Sequence, residues 1–128
     1  MKEYVIEKQL SCGKMTVRMR RIGTDCHVIL EGGERPHIGC AVLAVPRPSL
    51  SGGEQISSTA SVLNVIGHKD EFLCRRLAEQ VAAGQGRLTV CVGGFHTDHI
   101  TKEQIREVTE AADQAAAELS EMDWSSLR

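Results

Sequence analysis

The segment GGFHTDHITKEQ, residues 93–104, runs from an apolar stretch through two histidines and an aspartate into the start of a helix. Residues of these types suit several kinds of chemistry. Imidazole nitrogens with a carboxylate can hold a transition metal, although the spacing here matches no strong metal signature. A histidine with Asp98 could activate Cys40 or Cys91 as a nucleophile, but both cysteines sit in apolar runs, where a thiol is ordinarily an inert core group. A third option is an anion or phosphorylated cofactor, which needs backbone N–H donors at helix starts, small residues that permit close approach, and a cation.

Two further segments carry the same mixture. IGHKDEF (66–72) supplies Gly67, His68 and Lys69, and ERPHIG (34–39) supplies His37 and Gly39. Gly67, Lys69, Gly93 and Gly94 provide the types that anion binding requires, and the histidines, including His96 and His99 beside Asp98 in the first segment, stand ready to contact a ligand's ring or oxygens. A plain structural reading stands beside it: His68 caps a helix, Asp98 closes an Asx-turn, and Lys69 is a solvated charge. His27 belongs to a sheet surface or an interface.

The elements that must position these residues follow from periodicity. EYVIEKQL, KMTVRMRRI and DCHVILE alternate with a period of two and are joined by short glycine-bearing links, which predicts an antiparallel meander of three strands. IGCAVLAVP is almost wholly apolar and reads as a central strand covered on both faces, stopped by Pro46 and Pro48. Residues 47–56, rich in Pro, Ser and Gly, read as a flexible loop, and SSTASVLNVI as a strand through residue 66.

Leu73, Leu77 and Val81 recur at helical spacing up to Gly84 and Gly86, and RLTVCVGG is a short buried strand. Thr101 with Gln104 has the form of a capping box, and Ile100 with Ile105 that of a hydrophobic staple. The second helix then carries a stripe of Ile105, Val108, Ala112, Ala115, Leu119 and Met122, whose alanines permit close approach to a sheet or to a second copy. Residues 123–128 read as a frayed tail in which Trp124 could dock.

These elements predict an α+β fold: one mixed, mainly antiparallel sheet of about six strands packed by two helices, in a single domain over residues 1–128. A β-α-β unit of 56–94 would run its two strands in the same direction, bringing the 67–69 and 96–99 turns to one rim of the sheet. An antiparallel IGCAVLAVP strand would start at that rim and bring His37 to it.

Composition narrows the classes. The chain is 41% hydrophobic and 25% charged, with no apolar run near the roughly 18 residues of a membrane span. A formal charge of -2 and 3% aromatic residues argue against nucleic acid as a partner. The N-terminal MKEYVIEKQL lacks the continuous apolar stretch of a signal peptide, and five dispersed cysteines form no disulfide pattern, so a cytoplasmic protein is expected.

The ordered set PHIG (36–39), GHKDE (67–71) and GGFHTDHITKEQI (93–105) resembles the small D subunit associated with gallate and other hydroxyarene decarboxylases, a prenylated-flavin chaperone-like family with a proteasome-assembly-chaperone-like domain. The resemblance spans roughly residues 3–120. It implies a mixed sheet with two helices, paired as a homodimer, that binds prenylated FMN (or FMN). The cofactor would be delivered, protected or matured for the large catalytic decarboxylase subunit, without catalysis by this chain. The matching positions are His37, Gly39, Gly67, His68, Lys69, Gly94, His96 and Asp98. In the last motif this chain has Phe95, Thr97 and His99 where the family pattern carries Ile and Asn. A reading from a different class is a dimeric assembly factor that binds a partner subunit and no small molecule.

Overall fold

The computed structural model describes residues 1–50, 53–65 and 70–128. The elements run β1 (Glu3–Leu10), β2 (Gly13–Ile22), β3 (Asp25–Gly33), β4 (Cys40–Pro48), β5 (Ile56–Asn64), α1 (Glu71–Gln85), β6 (Thr89–His96) and α2 (Lys102–Glu121), followed by a 3-10 turn at Trp124–Ser126. They build one sheet in the order β1-β2-β3-β6-β4-β5. The β3–β6 pair is parallel and the other neighbouring pairs are antiparallel, giving the mixed, mainly antiparallel α+β sheet that the periodicity implies.

Alternation along the strands sends Met15, Val17, Met19, Val28, Leu30 and Val42 to one face, where each is fully buried. Burying a side chain of this size contributes about 2 kcal/mol. The two helices supply the opposing surface. α1 lies over β4, β5 and β6, while α2 lies towards β1 and β2 and packs along α1. Gly84 lets the helices approach, because a Cβ there would lie 2.5 Å from that of Ser120. The alanines of α2 are used within the chain: Ala111, Ala112, Ala115 and Ala116 are all buried.

Several sequence expectations need correction. β4 is central in the sheet but is not covered on both faces. Its Cys40, Val42 and Ala44 face the helices, whereas Leu43 is 42% and Val45 48% exposed on the opposite face. An apolar run has the same spelling whether or not its second face is covered.

Pro46 and Pro48 do not stop β4, since they pair with Ser58 and Ile56. Ser49 N–H donates towards β5, to Gln55 O, so strand alternation points the two proline nitrogens the other way. On that side pairing with β6 has ended at Ala44, and no ladder bond is lost. The expected loop at 47–56 therefore shrinks to a hairpin connection between Pro48 and Ile56, of which residues 51–52 lie outside the described residues.

The tail does not fray. Leu127 is 1% exposed, the Arg128 N–H donates to the Met1 carbonyl, and Trp124 lies between Arg21 and Arg87, whose guanidinium carbons are 5.1 Å and 4.1 Å from its ring centroid. Burial of one leucine and stacking of two cations on the indole fix a segment that composition alone marks as polar.

Candidate functional site

Strand direction assembles the rim. β5 and β6 run the same way, with β4 antiparallel between them, so the end of β6 and the start of β4 meet. Gly39 N–H donates to Gly93 O at 2.9 Å, which fixes the segment carrying Arg35 and His37 beside the end of β6.

At the centre lies a residue that sequence spacing did not single out. Asp70 precedes α1 at its N-cap, yet its side chain makes no capping bond. It turns inward, is 5% exposed, and accepts from the Phe95 N–H at 2.9 Å and from His37 Nε2 at 2.7 Å. The other ring nitrogen of His37 lies 2.9 Å from the Arg35 carbonyl. A carbonyl and a carboxylate are both acceptors, so His37 makes the two bonds together only when both ring nitrogens carry a proton. Burial pushes its pKa down, but the Arg35 carbonyl and the Asp70 carboxylate outweigh that, and the net shift is upward.

Gly39 and Gly94 make room for this pair. A Cβ on Gly94 would lie 2.6 Å from His37 Nε2 and 2.7 Å from Asp70 Oδ2, and one on Gly39 would overlap the Asp70 carboxylate. The close approach that these glycines permit is thus to Asp70 and His37.

Beside the pair, His96 Nε2 donates to Asp98 Oδ1 at 2.8 Å, and Arg35 donates to the same oxygen. These bonds, that of His96 first, hold the Asp98 carboxyl below the usual carboxylate range. The rings of His37 and His96 meet edge to face with centroids 6.3 Å apart. Thr97 donates to the Cys12 carbonyl, anchoring the connection to the β1–β2 turn. His99 is exposed with φ 56 and lies off the pocket described next. Gly67, His68 and Lys69 lie outside the described residues.

The rim opens onto a pocket of about 540 Å³ between the starts of α1 and α2. Its lining combines the polar His37, Asp70, His96 and Thr97 with the apolar Phe72, Leu73, Ile105 and Val108. The capping box of α2 is present in full, with Gln104 N–H donating to Thr101 Oγ1 and Thr101 N–H to Gln104 Oε1. At α1, Asp70 and Glu71 already place carboxylates near the positive end of the helix. The box thus occupies two N–H groups at the start of α2, carboxylates flank the start of α1, and the Arg35 guanidinium adds positive charge at the rim.

The thiols belong to the core. Cys40 and Cys91 are buried with Cys74, whose Sγ donates to Gly93 O at 3.7 Å. Burial pushes the Cys40 thiol well up, so it keeps its proton. Among the described residues no cluster of His, Cys, Asp and Glu has the geometry to hold a metal, and no helix is long and apolar enough to cross a membrane.

A family model described as the prenylated flavin chaperone LpdD-like domain matches residues 10–122. The chain belongs to that family. The LpdD-like match contains both helices, five of the six strands and every residue of the pocket. A structure described as a chaperone complex for yeast 20S proteasome assembly is similar, with a TM-score of 0.47 and 12% identity, covering 93% of this chain and 99% of that one. The comparison with curated proteins gives no match.

Sequence reasoning brought His37, His68, Lys69, His96, Asp98 and His99 to one rim; His37, His96 and Asp98 lie together, His99 lies off the pocket, and His68 and Lys69 are outside the described residues. It missed Asp70, Arg35 and Phe72. An aspartate just before a helix reads as an N-cap. The signal that could have separated Asp70 from a cap is the glycine in each of the two segments that must pack against it.

Proposed function

We propose that this chain is a non-catalytic carrier of prenylated FMN that delivers, protects or matures the cofactor for the large catalytic subunit of a prenylated-flavin-dependent decarboxylase. The observation that carries this reading is the His37–Asp70 pair, its carboxylate buried, lining a pocket of about 540 Å³, a size suited to a fused ring system. His37 and His96 face the polar edge of the isoalloxazine, and Asp98 holds His96 in orientation. Lys69 and Arg35 supply positive charge for the phosphate. Gly39 and Gly94 serve the same site through close packing, and Gly67, His68 and His99 complete the set of residues assigned to it. Family membership supports the choice of cofactor. Five free cysteines, all buried, suit a reducing compartment, so the cytoplasm is the proposed location.

The open sheet face supports a homodimer. Across β6, β4 and β5 it presents Val90, Val92, Ala41, Leu43, Val45, Thr59, Ser61 and Leu63, with Arg47 at the end of β4 bonded to Thr59 Oγ1. Three strands offer on the order of 300 Å² at ordinary strand spacing, so a stable dimer would also engage the rest of the six-stranded face. The same exposed face favours the second reading, an assembly factor that contacts a decarboxylase subunit without a small molecule.

Native mass spectrometry of the full chain, titrated anaerobically with FMN and prenylated FMN, separates the two. Retention of prenylated FMN, weakened in His37→Gln, supports the carrier. A dimer with no flavin adduct under either condition supports the assembly factor.

A further inference from the structure

We infer that Phe72 and Ile105 form a hydrocarbon-selective wall that recognises the prenyl group, so that the pocket distinguishes prenylated FMN from FMN. This rests on the flavin-carrier reading. Apolar stripes elsewhere on the two helices are buried, yet Phe72 and Ile105 are each 51% exposed, and both line the pocket. One stands in the first turn of α1 and the other follows the capping box of α2, so each helix start contributes one large apolar side chain. Leu73 and Val108 lie behind them.

The wall is held in place before any ligand arrives. The Arg76 guanidinium carbon lies 4.4 Å from the Phe72 ring centroid, and Arg76 Nη1 donates to Asp113 of α2 at 2.7 Å. This chain of contacts ties the Phe72 ring to the neighbouring helix. Ile105 is set by the Thr101–Gln104 cap and by its place in the staple with Ile100, another pocket residue.

The chemistry of the ligand matches the division of the pocket. Flavin already offers a polar pyrimidine edge, for which His37 and His96 are suited. Prenylation adds branched hydrocarbon and no hydrogen-bonding group. Burying that hydrocarbon is a means of discrimination open to the apolar lining of the pocket, of which Phe72 and Ile105 are the two large side chains left half exposed. Hydrophobic discrimination of this kind is worth roughly tenfold or more in affinity.

The test compares affinities of the full chain for FMN and prenylated FMN under anaerobic conditions, in the wild type, Phe72→Ala and Ile105→Thr, with a melting curve for each. The inference predicts that the wild type prefers prenylated FMN by about tenfold or more, and that each variant weakens prenylated FMN about tenfold more than it weakens FMN, in protein whose melting curve shows it folded. Equal wild-type affinity for the two flavins, or equal weakening of both in the variants, overturns the inference and leaves the flavin site standing. A wild-type protein that binds neither flavin overturns both.

Discussion

His37 Nε2 stands 2.7 Å from Asp70 Oδ2, and the carboxylate it meets is 5% exposed. The pair joins the segment before β4 to the start of α1, and through the Phe95 N–H it also holds the end of β6. Three elements thus converge on one carboxylate. Asp70→Ala should leave the Phe95 N–H and the His37 ring without their acceptor and destabilise the fold by about 3 kcal/mol, read from urea unfolding at neutral pH.

The raised pKa of His37 sets a direction for pH dependence. In the unfolded chain the ring loses its proton near the ordinary histidine value of about 6.5, whereas in the folded chain it keeps the proton to higher pH. The contribution to stability is fully present below the unfolded value and disappears as pH rises through the folded one. Wild-type protein should therefore lose stability between about pH 6 and about pH 9 relative to His37→Gln, measured by unfolding at both ends.

Gly94→Ala should act through the same pair. The added methyl would lie 2.6 Å from His37 Nε2 and displace the ring. A loss of about 2 kcal/mol is expected from the overpacking, together with a His37 pKa lower than in the wild type, followed by NMR titration of the imidazole.

On the open sheet face, Leu43→Glu places a charge beside the exposed Val45. Sedimentation should show a dimer for the wild type and a monomer for the variant, with little change in melting temperature, because Leu43 packs against no described helix. A wild-type monomer, or a variant that stays dimeric, removes that surface from the account.

Much of the frame was legible in the sequence because period two and period 3.6 are local properties. Met15, Val17 and Met19 fix one face of β2, and Thr101 with Gln104 fixes the start of α2. The rim was legible one level higher: strand directions alone bring His37 and His96 together. What was not legible depends on where a side chain turns. Asp70 could have capped its helix, and only the space beside Gly39 and Gly94 shows why it turns inward. Leu43 and Val45 illustrate the same limit, since alternating apolar residues do not reveal whether a second layer exists. The tail was misread because polar residues around Trp124 conceal the cation stacking that holds it.

The most direct test of the central claim follows the imidazole resonances of nitrogen-15-labelled protein during anaerobic titration with prenylated FMN. His37 and His96 line the proposed pocket, whereas His27 faces the open side of the sheet and serves as the internal reference. The account predicts that His37 and His96 shift together and saturate at one equivalent per chain while His27 stays in place. Flavin binding that moves His27 and leaves the other two unchanged, or no shift at saturating flavin, would contradict it.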